Sequence, residues 1–107
     1  MARVEITYSK LARIGAAVSL LVLKKNADYQ DSWQRQGLGG CLVRLADKFF
    51  RVENVNGKEA LITNETVAKT LIDAIGYSML GLVYIMENDP EQFDEALKEV
   101  GYDVREV

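Results

Sequence analysis

The chain has 107 residues, about half of them apolar, with 13 Lys plus Arg against 16 Asp plus Glu and no histidine. That length suits one domain, residues 1–107, and the mildly acidic balance supplies no field that would draw the chain to nucleic acid or an anionic membrane. With Cys41 the single cysteine, an internal disulfide, Cys-His or Ser-His-Asp catalysis and the common zinc sites are all excluded. Any metal would need oxygen ligands, which favours magnesium or manganese.

The first helix is expected from about residue 8 to residue 25. Leu11, Ile14, Val18, Leu21 and Val22 share one face there, while Lys10, Arg13 and Lys24 stay solvated. Arg3, Lys10 and Arg13 precede an apolar run over 14–23, as in a targeting signal. That run has no small-residue cleavage pattern and is shorter than the roughly 20 residues of a membrane span. A core helix of a cytoplasmic protein is the expectation. A polar loop containing Tyr29 and Trp33 follows over about 26–40.

A second helix is expected over about 40–54, with Leu42, Leu45, Phe49 and Val52 on one face and an ionic group of Arg44, Asp47, Lys48 and Arg51 on another. Asn56-Gly57 suits a type I′ turn, so a short hairpin between Val52 and Ile62 is weighed against a plain loop. The third helix begins with Thr63 or Asn64 as cap and continues to about Glu87. The last is punctuated by Asn88 or Asp89 as cap, Pro90 in its first turn, Glu91 at its positive end and Gly101 as its stop. The expected architecture is an all-α four-helix bundle. So small a domain would bury its remaining apolar surface most readily against a second copy, as a dimer or tetramer.

Asp73 is the most informative residue, because a carboxylate between Leu71, Ile72, Ala74 and Ile75 must be protonated, paired or metal-bound. Glu65, Lys69, Asp73 and Tyr77 form one stripe at four-residue steps. If that stripe faces the second helix, Asp47 approaches Asp73 with Arg44, Lys48 and Arg51 around them. Carboxylates so placed suit magnesium, and the cations suit a polyphosphate. The bland alternatives are an ion pair of Asp73 with Arg44 or Lys48, a solvated face for Asp47, Lys48 and Arg51, and core or interface packing for Tyr29 and Trp33.

Three segments carry a resemblance: residues 25–33 (Lys-Asn-Ala-Asp-Tyr-Gln-Asp-Ser-Trp), residues 42–48 (Leu-Val-Arg-Leu-Ala-Asp-Lys), and the helix from Glu65 through Leu71 to Asp73 and Tyr77. Together, over about 24–80, they resemble the small phage and bacterial MazG-like domain called nucleotide modification associated domain 1, among the all-α NTP pyrophosphohydrolases. The resemblance implies magnesium-dependent cleavage of an NTP or dNTP to monophosphate and pyrophosphate by an oligomer. It assigns Asp47, Asp73 and Glu65 to metal, with Glu65 and Asp73 catalytic. Arg44, Lys48 and Arg51 would contact phosphates, and Lys25, Asn26, Tyr29 and Trp33 the nucleoside. The chain departs from the pattern at Arg44, where larger relatives place the first acid of an E-x-x-E pair, and at Lys69, where an Asp is more usual. A non-catalytic nucleotide-binding or oligomerising module is the alternative expectation.

Overall fold

A computed structural model describes residues 3–29, 32–55 and 64–101, apart from the side chains of 28, 29, 32, 33, 52, 54, 55 and 64–66. The described chain is all-helical: α1 (Tyr8–Tyr29), a 3₁₀ turn (Ser32–Arg35), α2 (Gly37–Val55), α3 (Asn64–Asn88) and α4 (Pro90–Glu99). The proposed hairpin around Asn56-Gly57 lies outside the described residues.

Local chemistry accounts for the helix ends. The Thr7 hydroxyl accepts the backbone N–H of Lys10 at 3.3 Å and so caps α1. At the other end α1 runs four residues beyond the expected stop at Lys25, because Asn26, Ala27, Asp28 and Tyr29 include neither glycine nor proline. That extension moves Lys25 and Asn26 from the expected loop onto a helix. Asp89 caps α4 by accepting from the Gln92 N–H at 3.3 Å, with Pro90 in the first turn and Glu91 beside the positive end. Gly101, at φ +82, takes the left-handed conformation just past the helix.

Helix α2 begins at Gly37, three residues before the expected start, and Gly37 itself has φ +57. The chain reverses there beneath an α3 side chain, for a Cβ at Gly37 would lie 3.2 Å from the Tyr84 Oη. Left-handed backbone costs a residue with a Cβ about 1–2 kcal/mol, and the ring contact adds to it. Gly37→Ala is therefore expected to lower stability by at least about 1 kcal/mol in urea unfolding. Gly39→Ala, whose new Cβ meets nothing within 4 Å, should be neutral or stabilise by up to about 1 kcal/mol.

Helix α3 is the centre of the arrangement: α1, α2 and α4 all pack against it. Two glycines set the closeness of approach on different faces. A Cβ at Gly76 would press on Val22 of α1 at 3.3 Å, and one at Gly81 would meet Leu38 of α2 at 3.4 Å. Val18, Cys41 and Ala74 are the buried apolar residues among those described. The segment 67–88 is long and apolar enough to cross a bilayer by length and composition; it carries Lys69 and Asp73, and α1, α2 and α4 pack on it.

The apolar faces read from spacing are only partly covered. Of the α1 stripe, Val18 is buried, while Leu11 and Ile14 near the helix start are exposed. On α2 it is Cys41 that is buried and Leu45 half-buried, whereas Leu42 and Phe49 point to solvent. Large apolar surfaces on α1, α2 and α3 thus remain open in the single chain.

Candidate functional site

A pocket of about 390 Å³ opens where α1, α2 and α3 meet. Each helix contributes one face. On α1, Val18, Leu21, Val22 and Lys25 follow at helical steps, so the stripe that buries Val18 ends in an ammonium. On α2, Cys41 and Arg44 line the pocket, and Lys48, one turn further along, reaches the same carboxylate as Lys25. On α3, Asp73, Gly76, Tyr77 and Leu80 form the facing wall. The lining therefore joins polar groups, Lys25, Asn26, Gln36, Arg44 and Asp73, to apolar ones, Val18, Leu21, Val22 and Leu80.

Asp73 is the hinge of the electrostatics. Its side chain is 19% exposed and accepts Lys25 Nζ on Oδ1 and Lys48 Nζ on Oδ2, each at 3.5 Å. Of the two partners Lys48 is the more enclosed, 16% exposed against 52% for Lys25. The bland expectation of an ion pair is thus met with Lys48, and Lys25 joins it from α1. Lys25, Arg44 and Lys48 against Asp73 leave these polar groups with a surplus of positive charge. An anion is what such a set attracts.

Several expected site residues come together and others do not. Lys25, Asn26, Arg44 and Asp73 line the one pocket, with Lys48 bonded to it. Asp47 and Arg51 are exposed and outside the lining. The single ionic face expected for α2 therefore divides, because Asp47 and Lys48 stand about 100° apart around the helix and only one can face α3. The backbone of Glu65 lies in the first turn of α3, Tyr29 ends α1 and Trp33 sits in the 3₁₀ turn, but their side chains are outside those described.

No group of three or more Cys, Asp or Glu among the described residues is placed to hold a metal. Among the described residues Asp73 alone supplies a carboxylate to the pocket wall, and two ammonium groups face its oxygens. As a donor set this does not fit a cation held by protein carboxylates of neighbouring helices.

Tyr77 and Cys41 are pocket residues that were not among the expected site residues. Tyr77 was legible, since it stands one turn from Asp73 on the same stripe. Cys41 is 4% exposed, and burial pushes its thiol above the usual 9.0, with the Arg44 guanidinium opposing. The folded state then keeps the thiol proton to higher pH than the unfolded chain does. That contribution to stability is whole below 9.0 and declines as pH rises above it. Iodoacetamide should accordingly label Cys41 at least about tenfold more slowly in the native protein than in urea.

No curated protein and no solved structure matches the chain. A family does: its sequence profile matches residues 25–85, a span that begins at the pocket lysine of α1 and takes in all of α2 and the whole pocket face of α3. With more than half its length matched, including nearly every polar group that lines the pocket, the chain belongs to the family described as nucleotide modification associated domain 1.

Proposed function

We propose that the protein is a nucleoside triphosphate pyrophosphohydrolase of the MazG-like, all-α kind, working on NTPs or dNTPs with magnesium. The supporting observation is the convergence of Lys25, Arg44 and Asp73, from three helices, on a pocket that Val18, Leu21, Val22 and Leu80 also line. Its volume of about 390 Å³ lies within the range of small-molecule sites. The surplus of cations fits phosphates, the apolar wall and Tyr77 fit a base, and Asn26 offers hydrogen bonds to base or sugar.

In the proposed reaction a water oxygen forms a bond to the α- or β-phosphorus, the bridging P–O bond between them breaks, and monophosphate, pyrophosphate and a proton leave. Lys25, Arg44 and Lys48 hold the phosphate oxygens and stabilise the charge that develops on them. Asp73 positions those ammonium groups. Asp47 and Arg51 lie outside the pocket lining and take no contact in this reading, while Glu65 remains proposed for the metal and Tyr29 and Trp33 for the nucleoside. Such an enzyme fits nucleotide-pool control or DNA modification in the cytoplasm of a bacterium or of a phage-infected host.

The second reading is a non-catalytic nucleotide-binding module, and what favours it is the pairing of the pocket carboxylate with two lysines. A phosphate-release assay with added inorganic pyrophosphatase, run over the common NTPs and dNTPs with magnesium or manganese, separates the two. Turnover that is lost in Asp73→Asn and retained in Asp94→Asn, a substitution on exposed α4 away from the pocket, supports the enzyme. Saturable binding without turnover for every nucleotide supports the module.

The enzyme is proposed to be a homo-oligomer. A domain of this size ordinarily buries roughly 60–70% of the surface of its unfolded chain. Here Leu42, Phe49 and Phe50 of α2 and Leu71, Ile75 and Leu82 of α3 are left exposed. A second copy of the same chain would bring an equally apolar surface to them.

A further inference from the structure

The pocket's own charges are unequal to a triphosphate but close to those of a monophosphate. Among the described residues, Lys25 and Arg44 of the lining and Lys48 beside it, against Asp73, leave a surplus of two positive charges. A nucleoside monophosphate carries about −1.5 to −2 near neutrality, as a phosphoserine does, which this surplus balances. A triphosphate carries about two further negative charges, which would stand uncompensated in a partly enclosed site. A divalent cation would balance them. Among the described residues little is offered to retain one beforehand, because Asp73 is the carboxylate they bring to the pocket and both its oxygens face ammonium groups at 3.5 Å.

We infer that the pocket binds a nucleoside monophosphate without any metal, and takes a triphosphate only as its complex with a divalent cation, which arrives on the nucleotide and is not resident in the protein. Asp73 is then a positioning residue. Approached from α1 and α2, it holds Lys25 and Lys48 as a pair on the two sides of one carboxylate, and a phosphate entering beside Arg44 meets ammonium groups already in place. The inference rests on the nucleotide reading above and adds to it an order of assembly and a rule for which nucleotide species enter.

The test is equilibrium binding to the full chain by titration calorimetry. The four common deoxynucleoside monophosphates and their triphosphates are titrated singly, in EDTA and in magnesium, and manganese alone is followed by electron paramagnetic resonance. At least one monophosphate is expected to bind with an affinity that changes less than about twofold between EDTA and magnesium, while its triphosphate tightens at least about tenfold in magnesium. Manganese alone is expected to show no saturable binding below about 1 mM. Lys48→Gln and, at the more exposed partner, Lys25→Gln should each weaken the monophosphate by about tenfold or more, the loss of one charge-assisted hydrogen bond. The second variant keeps the test valid if the first unfolds.

A triphosphate bound equally well in EDTA overturns the inference. So does micromolar manganese binding without nucleotide that disappears in Asp73→Asn. Either result leaves nucleotide binding standing. Failure of every nucleotide to bind under both conditions, to protein with native helical circular dichroism, overturns the nucleotide reading and the inference with it.

Discussion

Asp73→Ala is expected to lower the unfolding free energy by about 2–3 kcal/mol, more than any other single substitution of the ionic cluster. Asp73 is largely enclosed and serves two ammonium groups, one of them on Lys48, itself 16% exposed. Removing the carboxylate leaves that ammonium desolvated without a counter-ion and leaves Lys25 and Lys48 repelling each other. The reverse truncation differs between the partners. Lys25→Met should cost under about 1 kcal/mol, since more than half of its side chain is in water and screening weakens the pair. Lys48→Met should cost more, because it strips a buried carboxylate of its better-enclosed partner. If the double variant Asp73→Leu/Lys48→Met recovers most of the loss, the pair serves placement more than stability, as expected for buried charges replaced by apolar groups of similar size. Urea unfolding of Asp73→Leu, Lys48→Met and their double variant measures the coupling, expected at about 1–2 kcal/mol. A coupling near zero would show that the two side chains act independently.

Phe49→Asp should break the proposed assembly. Phe49 and Phe50 on α2 are 58% and 64% exposed, and Leu42 continues the Phe49 face about two turns toward the start of the helix. Burying a phenylalanine side chain is worth about 1.5–3 kcal/mol, and in a two-fold interface each substitution acts twice. The loss is then about 3–6 kcal/mol, before counting two carboxylates placed in apolar surroundings. That corresponds to a dissociation constant weaker by about two to four orders of magnitude. Sedimentation equilibrium should find the natural chain as a dimer or tetramer and Phe49→Asp as a monomer at the same concentration. A monomeric natural chain would remove the assembly proposal while leaving the pocket, which one chain forms by itself, untouched.

Residue chemistry along the chain was enough to read the helices. Asp89, Pro90 and Gly101 act through hydrogen bonds and backbone preferences within a few residues, so both ends of α4 were legible without tertiary context, while the start of α1 followed from apolar spacing and its Thr7 cap emerged in the structure. The outer bounds of the central helices were less so. Residues 26–29, free of glycine and proline, continue α1, whereas the reversal at Gly37 lies against the Tyr84 ring of α3, which only the tertiary structure brings there.

The functional pocket divides along the same line. Sequence alone determined that a lone carboxylate within an apolar helix must have a partner, and that Asp73 and Tyr77 share a face, because desolvation and helical periodicity are properties of one segment. Only the tertiary structure decided that the partners are Lys25 and Lys48, that Arg44 lines the pocket, and that Asp47 and Arg51 stay outside. The reason is rotational. Four ionic residues spaced three and four apart spread over about 100° of a helix surface, and the part of that arc that meets α3 goes with the close approach at Gly81, where a Cβ would meet Leu38 and Cys41 of α2.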